Sequence, residues 1–160
     1  MPQDIVIRRE RPDQPEVVAL LRALDDYLAS LYSPEANHIL DVTALGASEV
    51  RFFVAREAKR VVGTGAVRLM AGEPDTAGEP YGEIKRMYVE PAQRGRRLGV
   101  ALVERLEATL REEGVALALL ETGRDQSEAV RLYERAGYRA RRAFGGYPDN
   151  GLSVFYGKRL

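Results

Sequence analysis

The chain has 160 residues, of which 45% are hydrophobic and 30% charged, a balance typical of a globular protein with a substantial core. Its 24 basic residues match 24 acidic ones, so its charge does not favour binding to nucleic acid or a membrane surface. The absence of cysteine excludes disulfides, a thiol nucleophile and thiolate metal sites. With no apolar signal or membrane-spanning segment, we expect one cytoplasmic domain over residues 1–160 without a bound metal.

The first half of the chain predicts an N-terminal strand and a helix, followed along the chain by the two strands of a hairpin. Residues 5–7 predict the first strand. Pro15 begins a helix with apolar residues every three or four positions, namely Val17, Leu20, Leu21, Leu24, Leu28 and Leu31. Ser33-Pro34 ends this helix, and a short second helix is expected within residues 38–45. The hairpin strands are predicted at residues 51–57 and 61–69.

The second half predicts strands that alternate with helices. Residues 71–82 are rich in glycine, proline and acids, a pattern typical of a loop. The elements predicted after it are a central strand at 84–89, a helix at 98–113, a strand at 115–122, a helix at 127–136, and closing strands at 138–143 and 152–158. The first of these helices carries leucine every four residues from Leu98 to Leu110, which gives it one apolar face.

A basic turn joins the central strand to the 98–113 helix, with the sequence Arg94-Gly95-Arg96-Arg97-Leu98-Gly99. The first turn of a helix leaves backbone N–H groups unpaired at the positive end of the helix dipole, which favours an anion. Arginine adds charge-assisted hydrogen bonds to phosphate. The spacing does not match a Walker A loop or a dinucleotide-binding fingerprint. The sequence therefore predicts a different kind of phosphate site.

This turn resembles the pyrophosphate-binding turn of the GNAT superfamily of N-acetyltransferases, whose pattern is Gln/Arg-x-x-Gly-x-Gly/Ala. Arg94 matches the first position and Gly99 the last. Arg97 replaces the middle glycine, a departure that is tolerable if its φ angle stays negative. A guanidinium there could also contact phosphate.

A second block, residues 127–138, is similar to the family's downstream helix. It carries Ala129-x-x-Leu132-Tyr133 and ends in Gly137-Tyr138, as the family's Ala-x-x-Leu-Tyr and Gly-Phe/Tyr motifs do. Gln126 stands where the family usually has asparagine. Two blocks in the right order are more specific than either one alone.

The resemblance implies a mixed α/β sheet with the order βα(α)βββαβαββ, whose central strands splay apart around acetyl-CoA. It also implies transfer of an acetyl group from this cosubstrate to a primary amine of a small molecule or peptide. The residues expected to contact acetyl-CoA are Met87, Tyr88, Val89, Arg94, Gly95, Arg96, Arg97, Leu98, Gly99, Val100, Gln126, Ala129 and Tyr133.

Acetyl transfer requires a neutral amine, and an amine of pKa ~10.4 is almost wholly protonated at pH 7. A base within reach therefore accelerates the reaction. Glu83, near the start of the central strand, is the first candidate; His38 and ordered water are the alternatives. A backbone N–H of Tyr88 or Val89 is expected to stabilise the oxyanion. Tyr133 either protonates the departing sulfur or only packs against the cosubstrate.

The acceptor amine is expected to contact Tyr27, Tyr32, Asn37, His38, Arg86 and Tyr147. Cationic and aromatic groups there would suit a small acceptor that carries a carboxylate as well as an amine. A second hypothesis is a module of the same fold that binds CoA as a sensor without turnover. Neither nucleic acid nor a membrane is an expected partner. A homodimer is possible, but the sequence does not specify the acceptor or the oligomeric state.

Overall fold

A computed structural model describes residues 4–33, 39–95 and 97–160. In chain order the elements are β1 (Ile5–Arg9), α1 (Pro15–Leu31), α2 (Val42–Leu45), β2 (Val50–Glu57), β3 (Arg60–Met70), β4 (Tyr81–Val89), α3 (Leu98–Glu112), β5 (Leu117–Gly123), α4 (Ser127–Arg135), β6 (Arg139–Arg141) and β7 (Ser153–Arg159). Short 3-10 turns, Pro74–Thr76 and Pro91–Gln93, flank β4. The mixed α/β fold that the sequence predicts is confirmed.

The predicted boundaries differ from the observed ones chiefly around β4. The central strand begins at Tyr81 rather than at residue 84, because the Gly-Pro-rich loop ends in a strand that pairs with β3 as far as Met70. Within the predicted second helix, only Val42–Leu45 is helical, and the Asp41 carboxylate caps it by accepting a hydrogen bond from the Ala44 N–H. Residues 34–38 lie outside the described part of the chain.

Seven strands form one sheet in the order β1-β2-β3-β4-β5-β7-β6. All neighbouring pairs are antiparallel except β4 and β5, which are parallel. A parallel pair requires a crossover connection, and α3 supplies it. The helix that follows the basic turn therefore lies beside the centre of the sheet.

The helices cover the two faces of this sheet. On one face α1 packs against a core that includes Phe52, Val54 and Ala66. On the other face α3 and α4 pack against Phe53, Val67 and neighbouring side chains. Alternate residues of each strand point to opposite faces, so β2 and β3 contribute to both cores.

The parallel pairing of β4 and β5 is short. Only Gly82 with Ala118 and Glu83 with Leu119 are paired, although β4 continues to Val89. A bulge lies just beyond the last pair, where two residue steps along β3 match three along β4. A bulge bends its strand and increases the local twist, so β4 and β5 diverge and leave a cleft between them.

A buried polar network ties α3 to the end of the chain. The Glu107 carboxylate is 3% exposed and accepts hydrogen bonds from the Tyr138 hydroxyl at 2.9 Å and from Lys158 Nζ at 3.1 Å. Lys158 also donates to the Ala136 carbonyl. Every buried charge in this network has a partner, as burial requires.

Burial raises the pKa of Tyr138 above its ordinary value, and the nearby Glu107 carboxylate raises it further. Burial also raises the pKa of Tyr81, Tyr133 and Tyr147. A raised folded-state pKa contributes stability that is fully present below the unfolded value of ~10 and is lost as the pH rises above it.

We therefore expect the free energy of unfolding to fall steeply above pH ~10, each buried tyrosine contributing up to about 1.4 kcal/mol per pH unit. Urea unfolding between pH 8 and pH 11 measures this dependence. Tyr138→Phe should have a shallower slope than wild type above pH ~10. Identical slopes for the two proteins would contradict the assignment to Tyr138.

Candidate functional site

Two adjoining cavities open where β4 and β5 diverge. The larger, named here the groove, has a volume of about 550 Å³ and runs between the basic turn, the end of β4 and α4. The smaller, named here the inner pocket, has a volume of about 110 Å³ and lies between α1, β4 and β5. Residues that line both are Leu24, Met87, Gln126, Ala129 and Tyr133. The cavities therefore meet at these side chains.

The first turn of α3 places unpaired backbone donors in the groove. Arg97 precedes the helix without any side-chain hydrogen bond that caps it, and its carbonyl accepts the first helical bond from Ala101. The geometry of a helix leaves the N–H groups of Leu98, Gly99 and Val100 without intrahelical acceptors. All three residues line the groove, and a phosphate there would pair these donors.

Arg97 does not meet the condition stated from the sequence. Its φ angle is +61°, in the left-handed region and not negative. Glycine adopts this conformation without steric cost, whereas another L-residue loses about 1–2 kcal/mol. This chain therefore holds the left-handed conformation with an arginine, where the pattern that it resembles has glycine.

Gly99 allows α3 and α4 to approach closely. A Cβ atom at this position would lie 3.1 Å from a methyl group of Leu132, which is tighter than an ordinary carbon contact. Both residues line the groove. Because Gly99 has no side chain, α3 and α4 lie close together beside the groove, and the Gly99 N–H remains accessible.

Arg94 spans the groove from the turn to α4. Its Nε donates to the Val89 carbonyl at 3.2 Å, and its Nη1 lies 3.3 Å from the Glu128 carboxylate. Its guanidinium also lies over the Tyr88 ring. The ion pair with Glu128 is solvent-exposed and so contributes little stability, which leaves Arg94 able to exchange Glu128 for a phosphate.

The groove contains every described residue that the sequence assigned to acetyl-CoA. These are Met87, Tyr88, Val89, Arg94, Gly95, Arg97, Leu98, Gly99, Val100, Gln126, Ala129 and Tyr133. Arg96 lies outside the described residues. Sequence reasoning missed Gln93, Arg131 and Arg135, which also line the groove; the two arginines belong to the exposed face of the predicted α4.

Tyr133 lies at the junction of the two cavities and is 5% exposed. Burial is the cause of its raised pKa, so the hydroxyl stays protonated at neutral pH. Its ring meets that of Tyr138 edge to face, with centroids 5.9 Å apart. Among the described residues nothing hydrogen-bonds its hydroxyl, which leaves the O–H able to serve a ligand.

Glu83 lies behind the inner pocket rather than in its wall. Its side chain is 4% exposed and accepts a hydrogen bond from the Tyr147 hydroxyl at 2.5 Å. Lys85 Nζ bonds the same hydroxyl at 2.7 Å and lies 3.6 Å from the carboxylate. Glu83 belongs to the last paired position of β4 and β5, one step before the strands diverge.

Glu121 is the carboxylate that lines the inner pocket, and sequence reasoning missed it. Its side chain accepts a hydrogen bond from Ser153 Oγ at 2.7 Å. The residue follows the last β5 residue that pairs with β4 by two positions, so it lies where the cleft opens. A charged residue near the end of an apolar predicted strand was the signal that could have identified it.

Four of the six residues expected to contact the acceptor are described, and they lie in three places. Tyr32 and Arg86 line the inner pocket, and the Tyr32 hydroxyl accepts a hydrogen bond from the Asp125 N–H. Tyr27 lines the groove instead. Tyr147 lines neither cavity, but its hydroxyl accepts a hydrogen bond from the lining residue Lys85. The remaining two, Asn37 and His38, lie outside the described residues.

Within residues 4–33, 39–95 and 97–160, no group of three or more histidine, aspartate or glutamate side chains could hold a metal ion. In the same ranges no helix has the length and apolar character needed to cross a membrane.

Comparison with known proteins agrees with this geometry. The profile described as "Acetyltransferase (GNAT) family" matches residues 17–138. The chain is 43% identical over 157 residues to an IAA acetyltransferase of Azospirillum brasilense, with 98% of this chain and 99% of that protein covered.

Solved structures give the same result. A putative acyl-CoA N-acyltransferase from Klebsiella pneumoniae superposes with a TM-score of 0.78 at 34% identity, covering 98% of this chain and 97% of that one. The PaiA N-acetyltransferase of Thermoplasma acidophilum, solved in complex with coenzyme A, shares the fold with a TM-score of 0.72 at 16% identity, with 98% and 99% covered.

The groove fits the acetyl-CoA that this family uses, because unpaired helix N–H groups and arginines meet at its outer end and the Tyr133 hydroxyl at its inner end. With the family profile and a relative similar over its whole length, the chain belongs to the GNAT family and is an N-acetyltransferase with acetyl-CoA as its cosubstrate.

Proposed function

We propose that the protein transfers the acetyl group to a primary amine of a small molecule or peptide, directly within a complex that holds both substrates. The observation that carries this proposal is the meeting of groove and inner pocket at Tyr133 and Met87. A thioester in the groove and an amine in the pocket would come into contact there. Direct transfer requires this arrangement, because the two reactants must be held together in one site.

The groove holds acetyl-CoA through its two ends. The N–H groups at the start of α3, with Arg94 and Arg97, bind the pyrophosphate. Acetyl-CoA supplies an activated thioester. The chain's own residues orient it, stabilise negative charge on the acetyl oxygen, and receive the proton that the amine loses.

Val89 is the better placed of the two residues expected to stabilise the oxyanion. The Glu90 N–H bonds the Val62 carbonyl on β3, and successive N–H groups of a strand point to opposite sides. The Val89 N–H is therefore directed away from β3, toward the cleft that β5 has left. A fixed donor in such a site stabilises developing charge without reorganisation.

Tyr133 supports the departure of the sulfur. A phenol of pKa ~10 donates a strong hydrogen bond to a thiolate of pKa ~8.5. Burial disfavours the charged forms of the phenol and the thiol alike. It therefore raises both pKa values and does not by itself widen the difference between them. The Tyr133 hydroxyl thus stabilises the thiolate and supplies its proton as the amide forms, and the phenolate regains a proton from solvent because burial raises its pKa.

Glu121 is the carboxylate best placed to receive the amine's proton. It lines the inner pocket, and Ser153 orients it. Glu83, the candidate from the sequence, does not line the pocket; it bonds the Tyr147 hydroxyl, which is bonded in turn by the lining residue Lys85. A general base must lie within hydrogen-bond reach of the proton, directly or through one water, and this favours Glu121.

The proposed activity is tested by free-thiol release from acetyl-CoA over a panel of primary amines, with the acetylated product identified by mass spectrometry. Calorimetry with acetyl-CoA alone gives the affinity of the groove. Thiol release that depends on the amine supports direct transfer. Tight binding of acetyl-CoA without amine-dependent release from any member of the panel would instead indicate a CoA-binding module.

Arg97→Gly should stabilise the fold, because glycine removes the cost of the left-handed backbone. We expect Tm to rise by about 2–4 °C. The matched control Arg97→Ala removes the same guanidinium but keeps the strain, so its Tm should not rise. Both variants should bind acetyl-CoA about 3- to 10-fold more weakly by calorimetry. A higher Tm for both variants would show that the strain is not the cause.

Tyr133→Phe should lower kcat on the order of 10²-fold, because it removes only the proton donor. The KM for acetyl-CoA should change by less than about twofold, since the ring remains. Tyr138→Phe is the matched control: its ring is adjacent, but it lines neither cavity, so its kcat should stay near wild type. An unchanged kcat for Tyr133→Phe would show that Tyr133 only packs.

Glu121→Gln should reduce kcat/KM at pH 7 by ~10²-fold. The loss should shrink as the pH approaches the amine's own pKa, because the amine then arrives neutral. Glu83→Gln, measured beside it, should have the smaller effect at pH 7. A larger loss in Glu83→Gln, with the same pH dependence, would assign the base to Glu83.

A further inference from the structure

Arg86 has donors that the fold does not use. Its side chain is 4% exposed, and its buried Nε has no hydrogen-bond partner. Among the described residues, the guanidinium donates one side-chain hydrogen bond, from Nη1 to Asp25 at 2.5 Å. Buried polar groups are normally paired, and the fork of an arginine matches a carboxylate with two parallel bonds. A group so placed indicates a missing acceptor.

The backbone holds Arg86 in an unusual conformation. Its φ angle is +55°, and it lies in the bulge that separates β4 from β5. The Thr64 hydroxyl, itself buried, donates to the Arg86 carbonyl at 2.9 Å and fixes this conformation. Strained residues that their surroundings hold in place cluster at ligand sites, and Arg86 lines the inner pocket.

The rest of the inner pocket suits a small, partly apolar molecule. Its apolar wall consists of Leu24, Leu28, Ile39, Leu40, Ile84 and Leu152. Lys85, the other cation of the lining, already lies beside Glu83 and Tyr147. Glu121 is the carboxylate of the lining. Besides Lys85, the charged groups of the lining are therefore one guanidinium and one carboxylate, which complement opposite charges on a ligand.

We propose that the acceptor is a small α-amino acid with an apolar side chain, whose carboxylate binds the Arg86 guanidinium while its amine faces Glu121. This inference rests on the proposed acetyl transfer and specifies the substrate of that site. The apolar side chain packs against the leucine-rich wall. A volume of about 110 Å³ accommodates a single amino acid better than a folded protein segment.

A matched series of acceptors tests the carboxylate contact, namely leucine, leucinamide and 3-methylbutylamine. The three share the apolar group and the amine but differ at the carboxyl position. Leucine should have a kcat/KM at least ~10-fold above the other two, as a charge-assisted bond contributes. Leucinamide has the less basic amine, so the protonation of the amine alone would favour the amide. Equal or better turnover of leucinamide would overturn the proposal while leaving acetyl transfer intact.

Variants of Arg86 identify the anchor. Arg86→Gln should abolish the preference for leucine over 3-methylbutylamine by raising the KM for leucine at least ~10-fold. Arg86→Lys keeps the charge without the fork and should restore part of the preference. Arg68→Gln removes a guanidinium from the adjacent strand β3, outside both cavities, and should retain the full preference. Thermal unfolding of each variant checks that it folds.

Binding of leucine to the protein saturated with coenzyme A separates this inference from the catalytic one. Calorimetry should detect binding in wild type and its loss in Arg86→Gln, whether or not turnover occurs. Binding without turnover would support the carboxylate site and contradict the proposed transfer. Binding that is the same in Arg86→Gln and wild type would overturn the assignment of the carboxylate to Arg86.

Discussion

The divergence of β4 from β5 is the constraint on which the rest of the site depends. The two strands share only two paired positions, and the bulge at Arg86 turns β4 away before a third can form. The backbone groups that would have completed the sheet become free to bind a ligand. The groove and the inner pocket both lie at this opening, so one local irregularity in the sheet produces both cavities.

Burial then assigns different tasks to similar side chains around this opening. Tyr133 and Tyr138 are both buried and both have a raised pKa. Tyr138 uses its hydroxyl to bond Glu107 inside the core, whereas the Tyr133 hydroxyl stays unbonded within the described structure and its residue lines both cavities. Glu83 and Glu121 differ in the same way, since Glu83 bonds Tyr147 outside the pocket lining whereas Glu121 lines the inner pocket. Packing partners, rather than residue type, distinguish a structural group from a group available to substrate.

The turn before α3 shows how far a short motif can be trusted. Its position after a strand and before a helix predicted a phosphate site, and every described residue assigned to it lines the groove. A side chain at Arg97 would be tolerated without cost only if its φ angle were negative, and the angle is positive. The backbone route is set by the strand and helix that the turn joins, and the side chain adapts to it.

The sequence by itself determined the elements, the mixed α/β class and the position of the basic turn before α3, because these follow from local periodicity and from motifs within a few residues. It could not determine which carboxylate lines the inner pocket. Glu83 and Glu121 lie on different strands, and only the place where those strands diverge decides that Glu121 lines the pocket. The position of the Arg86 side chain, with its unpaired Nε, also depends on long-range packing. Thr64 bonds the Arg86 carbonyl and Asp25 bonds its Nη1, and both residues belong to other elements. Such contacts are set by the tertiary structure, which alone brings distant residues together.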